Sequence, residues 1–274
     1  CMSIKKLLNH SPAKGIYLLP NLLTTAGLFS GFYAVVMSMN GHFEKSAVAI
    51  IVAMVFDGFD GRVARMTNTQ SEFGAEYDSM ADMVSFGIAP GLVVYNWALA
   101  ELGKFGWLAA FVFVAGAALR LARFNTQVGV ADKRFFQGLA SPAAAGVIAS
   151  LVWLGTEYGI HGHDYGVVVG LITIIAGLLM VSNFRYHSFK EIDWKEKVNF
   201  IVLLLVVLVF VIVAAGPAES LTVIFVGYAI SGPVTTIRTV KELKLEHVVG
   251  DDDDADFTDE KSNSSTHDKN KPKL

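Results

Sequence analysis

The sequence is poor in charge and almost without cysteine. Charged residues make up 17% of its 274 positions while 53% are hydrophobic, whereas soluble domains carry roughly a quarter charged residues. That shortfall argues against a water-soluble globular chain. The one cysteine, Cys1, stands ahead of Met2 and reads as a cloning remnant, so a disulfide framework and thiol chemistry are both excluded. No glycine-rich phosphate loop, no paired Cys/His zinc spacing and no internal repeat is present. The net charge of −3 gives no reason to expect a nucleic-acid partner.

Long apolar runs are what the sequence has in abundance. A membrane helix needs about 20 apolar residues, and eight stretches approach that length: 16–39, 44–64, 79–100, 105–124, 141–157, 165–182, 198–216 and 219–236. Gly and Pro inside them, as at Pro20, Gly91 and Pro233, are tolerated because neighbouring helices satisfy the freed backbone groups. The first run is too long for a signal-peptide core and no small-residue cleavage site closes it, so it is expected to stay as a permanent helix. The expected fold is an all-α integral membrane protein, about eight transmembrane helices in one bundle.

Basic residues segregate between alternate loops. With a cytoplasmic N-terminus, one side receives Lys5, Lys6, Lys14, Arg62, Arg65, Arg120, Arg123 and a further nine between positions 133 and 244, and the other only Lys45 and Lys104. Lys/Arg-rich loops resist translocation, so both termini are expected in the cytoplasm. Three parts follow: a cytoplasmic N-terminal segment 1–15, a membrane domain 16–247 and an acidic tail 248–274. The tail, with Asp251 to Asp254, holds too few apolar residues to offset the entropy of ordering and is expected to be disordered.

The chemistry concentrates between positions 57 and 82. Asp57 and Asp60 are three apart, and Asp78 and Asp82 four apart, so each pair shares a helix face. Two such faces at the ends of adjacent helices can converge. Four close carboxylates at a membrane boundary repel one another and lose hydration unless cations sit among them. Oxygen-only ligands suit Mg²⁺ or Mn²⁺, ions commonly shared with substrate phosphates. Two ions about 3.5–4 Å apart stabilise both the entering and the leaving oxygens of a phosphoryl displacement. Gly61 lets a ligand approach the backbone and Ala64 keeps that face shallow. Arg65, one turn on, is placed to pair with phosphate. Gly74 is a candidate for the tight turn between the two helices, and Ser71 offers a hydroxyl at the same mouth. Acidic residues in a helical bundle also mark ion pathways, which leaves a divalent-cation transporter as the competing class.

These residues resemble the CDP-alcohol phosphotransferase signature D-x2-D-G-x2-A-R-x8-G-x3-D-x3-D. Asp57, Asp60, Gly61, Ala64, Arg65, Gly74, Asp78 and Asp82 match every fixed position. The resemblance implies two metals on Asp57, Asp60, Asp78 and Asp82, with Asp57 and Asp78 bridging and Asp82 also the general base. It further implies CDP-lipid contacts from Gly61, Arg65 and Ser71, and a nucleotide-facing segment on the first helix that includes Asn21 and Thr24. SFGIAPG at 85–91, RLARFN at 120–125, GLASPAAA at 138–145 and NFRYHSFK at 183–190 resemble the branch of that family that uses serine. Ala140 departs from that branch, which commonly has proline there.

A serine acceptor brings a carboxylate, for which a guanidinium is the natural partner. Arg120 and Arg123, with Asn125 following, are the candidates, and the lipid phosphates are their alternative ligand. The expected reaction passes the phosphatidyl group of CDP-diacylglycerol to L-serine. Glycerol 3-phosphate, inositol and choline remain competing acceptors. The resemblance places such an enzyme in a bacterial inner membrane with its site facing the cytoplasm, and a homodimer is compatible with it.

Overall fold

The structure, a computed structural model, describes residues 18–127, 135–187 and 200–237. The expectations for the N-terminal segment 1–15, for the basic residues beyond these ranges and for the acidic tail lie outside the described residues. By internal contacts the chain divides into Cys1–Gly232 and Pro233–Leu274. The second unit contributes only positions 233–237 to the description.

Helix α1 (Leu18–Met39) carries Pro20 in its first turn, where a backbone N–H has no intrahelical acceptor to lose. It packs along α2 (Phe43–Met66). A short turn at Asn68 leads to α3 (Glu72–Asp82). The chain then continues without a break through a π-turn (Met83–Ile88), α4 (Ala89–Val94), a second π-turn (Tyr95–Leu99) and a 3₁₀ turn to Leu102. Next come α5 (Lys104–Gln127), α6 (Ser141–Glu157), α7 (Gly166–Val181), α8 (Phe200–Ala215) and α9 (Pro217–Ile237).

Five helical stretches are long and apolar enough to cross a membrane: α1, Glu72–Leu102, α5, Gly162–Val181 and α9. Over the described residues, each of the eight apolar runs expected from the sequence is helical. Three nevertheless fall short of that standard. Helix α2 ends in Asp57, Asp60, Arg62 and Arg65, and α6 and α8 have 17 and 16 residues. At about 1.5 Å per residue such helices rise roughly 25 Å, against about 30 Å of hydrocarbon.

The fold is all-α but for one short ribbon. Two three-residue strands, β1 (Phe135–Gln137) and β2 (Arg185–His187), pair antiparallel with Phe136 opposite Tyr186. The ribbon ties the loop before α6 to the loop after α7. Tyr186 is fully buried and its hydroxyl donates to the Ala229 carbonyl at 3.0 Å. Burial, helped by nearby Tyr228, pushes its phenol up to about 12.

Small residues let the helices approach closely, the usual device where lipid offers no hydrophobic drive between helices. Gly116 of α5 meets the backbone of Gly177 on α7, leaving no room for a Cβ. The core runs through Ala34, Ile50, Ala53, Phe86, Val93, Phe113 and Ile148. Many large apolar side chains on the outer faces, such as Phe29, Phe111 and Leu171, are exposed, as a lipid-facing surface requires.

Candidate metal and phosphate site

Helix α2 presents Asp57 and Asp60 near its C-terminal end, and α3, packed on α1, presents Asp78 and Asp82. The α2–α3 connection brings the two faces together. Its left-handed residue is Asn68, at φ 51°, a conformation that asparagine tolerates better than most residues. Gly74, expected from the sequence to make that turn, lies inside the first turns of α3 instead. A Cβ there would sit 3.1 Å from Ser71 Oγ and 3.4 Å from Asn21 Oδ1, so its missing side chain serves close packing.

One oxygen each from Asp57, Asp60 and Asp78 lies within 4.8 Å of the others. Asp82 lines the same pocket, with Thr24, Gly27, Ala53, Ser85 and Phe86. The Asp57 and Asp82 carboxyl groups are close neighbours, and so are those of Asp60 and Asp78. The free space is about 10 Å³, far too little for a nucleotide. An all-oxygen donor set of like charge in so small a space fits hard divalent cations.

Thr24 shows how α1 enters the site. Only 5% exposed, its hydroxyl lies 2.8 Å from Asp60 Oδ2 and 3.2 Å from the Pro20 carbonyl. The single proton favours the shorter, charge-assisted partner. Asp60 is itself 4% exposed, so this bond orients the most buried carboxylate of the cluster. Sequence reasoning assigned Thr24 to the nucleotide; the structure turns it toward an aspartate.

The other expected residues separate into two groups. Open space surrounds a Cβ built on Gly61, so a ligand can reach the backbone there, and Ala64 follows on the same helix. Arg65 is exposed and its Nε donates to the Gly61 carbonyl at 2.9 Å, which leaves its terminal nitrogens for an anion. Ser71 caps α3 by accepting from Gly74 N at 3.0 Å, a role that keeps its own proton free to donate. Asn21 lies half-buried on α1 near Gly74.

On α5, Arg120 comes within electrostatic reach of Asp82 and Asp57. Its Nη1 donates to Ser141 Oγ at 2.9 Å, and Ser141 is fully buried at the start of α6. Arg123 instead donates to Asn183 Oδ1 at 3.3 Å, and Asn125 exchanges a hydrogen bond with Ser79 on α3. Arg120 is thus the basic residue of this trio that adjoins the carboxylates. Sequence reasoning missed Ser141 and Ser85; both stand inside the SFGIAPG and GLASPAAA segments it had singled out, without a role.

The family model for CDP-alcohol phosphatidyltransferases matches residues 17–181. A Helicobacter pylori protein named CDP-diacylglycerol–serine O-phosphatidyltransferase is 38% identical over 227 residues, covering 82% of this chain and 94% of that protein. A Mycobacterium tuberculosis protein of the same name is 32% identical over 248 residues, 86% of this chain and 84% of its own length. A Methanothermobacter thermautotrophicus protein named archaetidylserine synthase is 30% identical over 182 residues, 66% of this chain and 74% of that one.

Proposed function

The chain belongs to the CDP-alcohol phosphatidyltransferase family, and from that premise we propose that it is a CDP-diacylglycerol–serine O-phosphatidyltransferase working through two divalent cations. The observation that carries the reading is the convergence of Asp57, Asp60 and Asp78 within 4.8 Å, in a pocket that Asp82 completes. The names borne by relatives of 30–38% identity support serine as the acceptor.

Asp57, Asp60, Asp78 and Asp82 would hold the cations. When bound, Mg²⁺ or Mn²⁺ polarises the diphosphate and stabilises the entering and leaving oxygens of an in-line displacement. Asn21 on α1 and the open backbone at Gly61, with Ala64 beside it, receive the cytidine nucleotide. Arg65 and Ser71 meet its phosphates at the mouth, where the open space lies. Asp82 accepts the proton of the serine hydroxyl as that oxygen attacks the lipid-linked phosphorus. The new P–O bond forms as the bond to CMP breaks, CMP carries away the electron pair, and phosphatidylserine remains in the bilayer.

Arg120 supplies the guanidinium for the serine carboxylate, held in place by Ser141 and adjoining Asp82. Arg123 and Asn125 brace α5 against the segment after α7 and against α3. About eight helices cross the bilayer, both termini lie in the cytoplasm, and the aspartates open to the cytoplasmic face. The basic loops on that side support this orientation. CDP-diacylglycerol enters sideways from the lipid and serine from water.

Release of CMP from CDP-diacylglycerol, measured with purified protein across serine, inositol, glycerol 3-phosphate and choline, tests the reading. Serine gives the fastest release. A faster rate with another alcohol overturns the acceptor while keeping the enzyme class. Mn²⁺ flux into liposomes lacking CDP-lipid, with no CMP release under any condition, favours the transporter instead.

A further inference from the structure

Asp82 is the last residue of α3, and the π-turn Met83–Ile88 begins directly after it. A π-turn takes up an extra residue, so it rotates the side chains before it against those after it by on the order of 100° relative to an uninterrupted α-helix. Upstream of the turn, Asp78 and Asp82 face the carboxylate pocket; downstream, Ala89, Val93 and Val94 are fully buried in the core. The setting of this turn therefore decides where Asp82 points.

The turn is gripped from both sides. Against α1, a Cβ built on Gly31 would lie 2.7 Å from both Cα and Oγ of Ser85, a distance that only glycine avoids. Against α5, a Cβ on Gly87 would lie 3.2 Å from Ala117 Cβ. Ser85 is 2% exposed, and its hydroxyl donates to the Gly27 carbonyl at 3.2 Å. Gly27 is three residues beyond Thr24, whose hydroxyl holds Asp60. One helix, α1, thus holds a metal-side carboxylate through Thr24 and the turn that carries Asp82 through Ser85.

We propose that Ser85 is a positioning residue that sets Asp82 in register with the α1-anchored carboxylates, with Gly31 providing the close approach the bond needs. This rests on the reading of Asp82 as the proton acceptor. A misplacement of about 1 Å in a reacting group costs on the order of a hundredfold in rate, so a hydroxyl that never touches substrate can still control turnover.

The test compares Ser85→Ala, Gly31→Ala and Asp82→Asn in the CMP-release assay, alongside calorimetric Mn²⁺ titration and thermal unfolding of each purified protein. Ser85→Ala is expected to lower kcat about 10- to 100-fold. KM for CDP-diacylglycerol, KM for serine and the unfolding midpoint stay near wild type, and Mn²⁺ affinity falls by less than kcat because Asp82 is one of four carboxylates at the site. Gly31→Ala, whose methyl would strike the Ser85 backbone, is expected to lose more; should it not fold, Ser85→Ala decides alone. A kcat within twofold of wild type for Ser85→Ala overturns the proposal. So does a loss of kcat matched by a loss of unfolding midpoint, the mark of a packing role. Asp82→Asn separates the two readings: if it stays active, the assignment of Asp82 as base fails, whereas an inactive Asp82→Asn beside a normal Ser85→Ala sinks only the role of Ser85.

Discussion

The two ends of the bundle treat polar groups in opposite ways. At the end formed by the close of α2 and the opening of α3, four aspartates crowd a pocket of about 10 Å³, with Arg120 beside them. At the other end polar groups are spread out and mostly paired: Asn96 donates to Ser38 at 3.0 Å, and the Tyr158 hydroxyl to Glu219 Oε1 at 2.9 Å. Among the described residues, Glu219 Oε2 is the one buried side-chain atom there without a hydrogen-bond partner. His161 and His163 stack in parallel with centroids 6.2 Å apart, and among the described residues neither belongs to a metal-competent group. Like charges brought together against their own repulsion are tolerable where a cation completes them, while matched pairs need nothing added. The first end is built to bind, the second to hold helices together.

The sharpest way to break this contrast is to remove a carboxylate or its ions. Asp57→Ala, or EDTA on the wild type, is expected to cost several kcal/mol of transition-state stabilisation, roughly a thousandfold or more in CMP release. Mg²⁺ or Mn²⁺ restores the chelated enzyme but not the variant. Near-normal turnover by Asp57→Ala would sink the metal reading.

Next comes Arg120→Lys, which keeps the charge and loses the planar fork. KM for serine should rise about tenfold or more, with KM for CDP-diacylglycerol unchanged. A rise in the lipid KM instead would assign Arg120 to phosphate.

Thr24→Val removes the hydroxyl that orients Asp60 without changing volume much. Mn²⁺ affinity, read by calorimetry, should weaken by about 10- to 100-fold, and Thr24→Ser should recover most of it. If the variant instead weakens only CDP-diacylglycerol binding, Thr24 belongs to the nucleotide.

The smallest effect is expected at the opposite end. Tyr158→Phe breaks the bond to Glu219 and should lower the thermal midpoint slightly, leaving kcat and Mn²⁺ affinity at wild-type values. A loss of turnover there would mean that the two ends are coupled and that the contrast drawn between them is wrong.

Much of the site was legible before any coordinates because its spacing is local. Residues three or four apart share a helix face whatever the helix packs against, so the pairing of Asp57 with Asp60 and of Asp78 with Asp82 could be read directly. The helical runs were legible for a similar reason, since hydropathy over about 20 residues needs no knowledge of neighbours. The turn was misread: glycine at 74 looked like its hinge, yet Asn68 adopts the left-handed backbone and Gly74 makes room for Asn21 and Ser71. Nothing in the spacing of a single segment distinguishes these two uses of glycine.

Partners far apart in the sequence were out of reach in the same way. The bonds from Thr24 to Asp60, Arg120 to Ser141 and Ser85 to Gly27 span 36, 21 and 58 residues. The pairing of β1 with β2 joins two loops that composition alone would leave as unstructured links.

The amino-acid sequence by itself determined that this is a helical membrane protein with an acidic signature at one boundary, because apolar length and i, i+3, i+4 spacing act through the local chain. Only the tertiary structure decided which side chains meet the aspartates, which arginine adjoins them, and that a π-turn follows Asp82. Those outcomes depend on how closely whole helices approach one another, and that distance is set by small residues such as Gly31, Gly87 and Gly116 on faces that no single helix can choose alone.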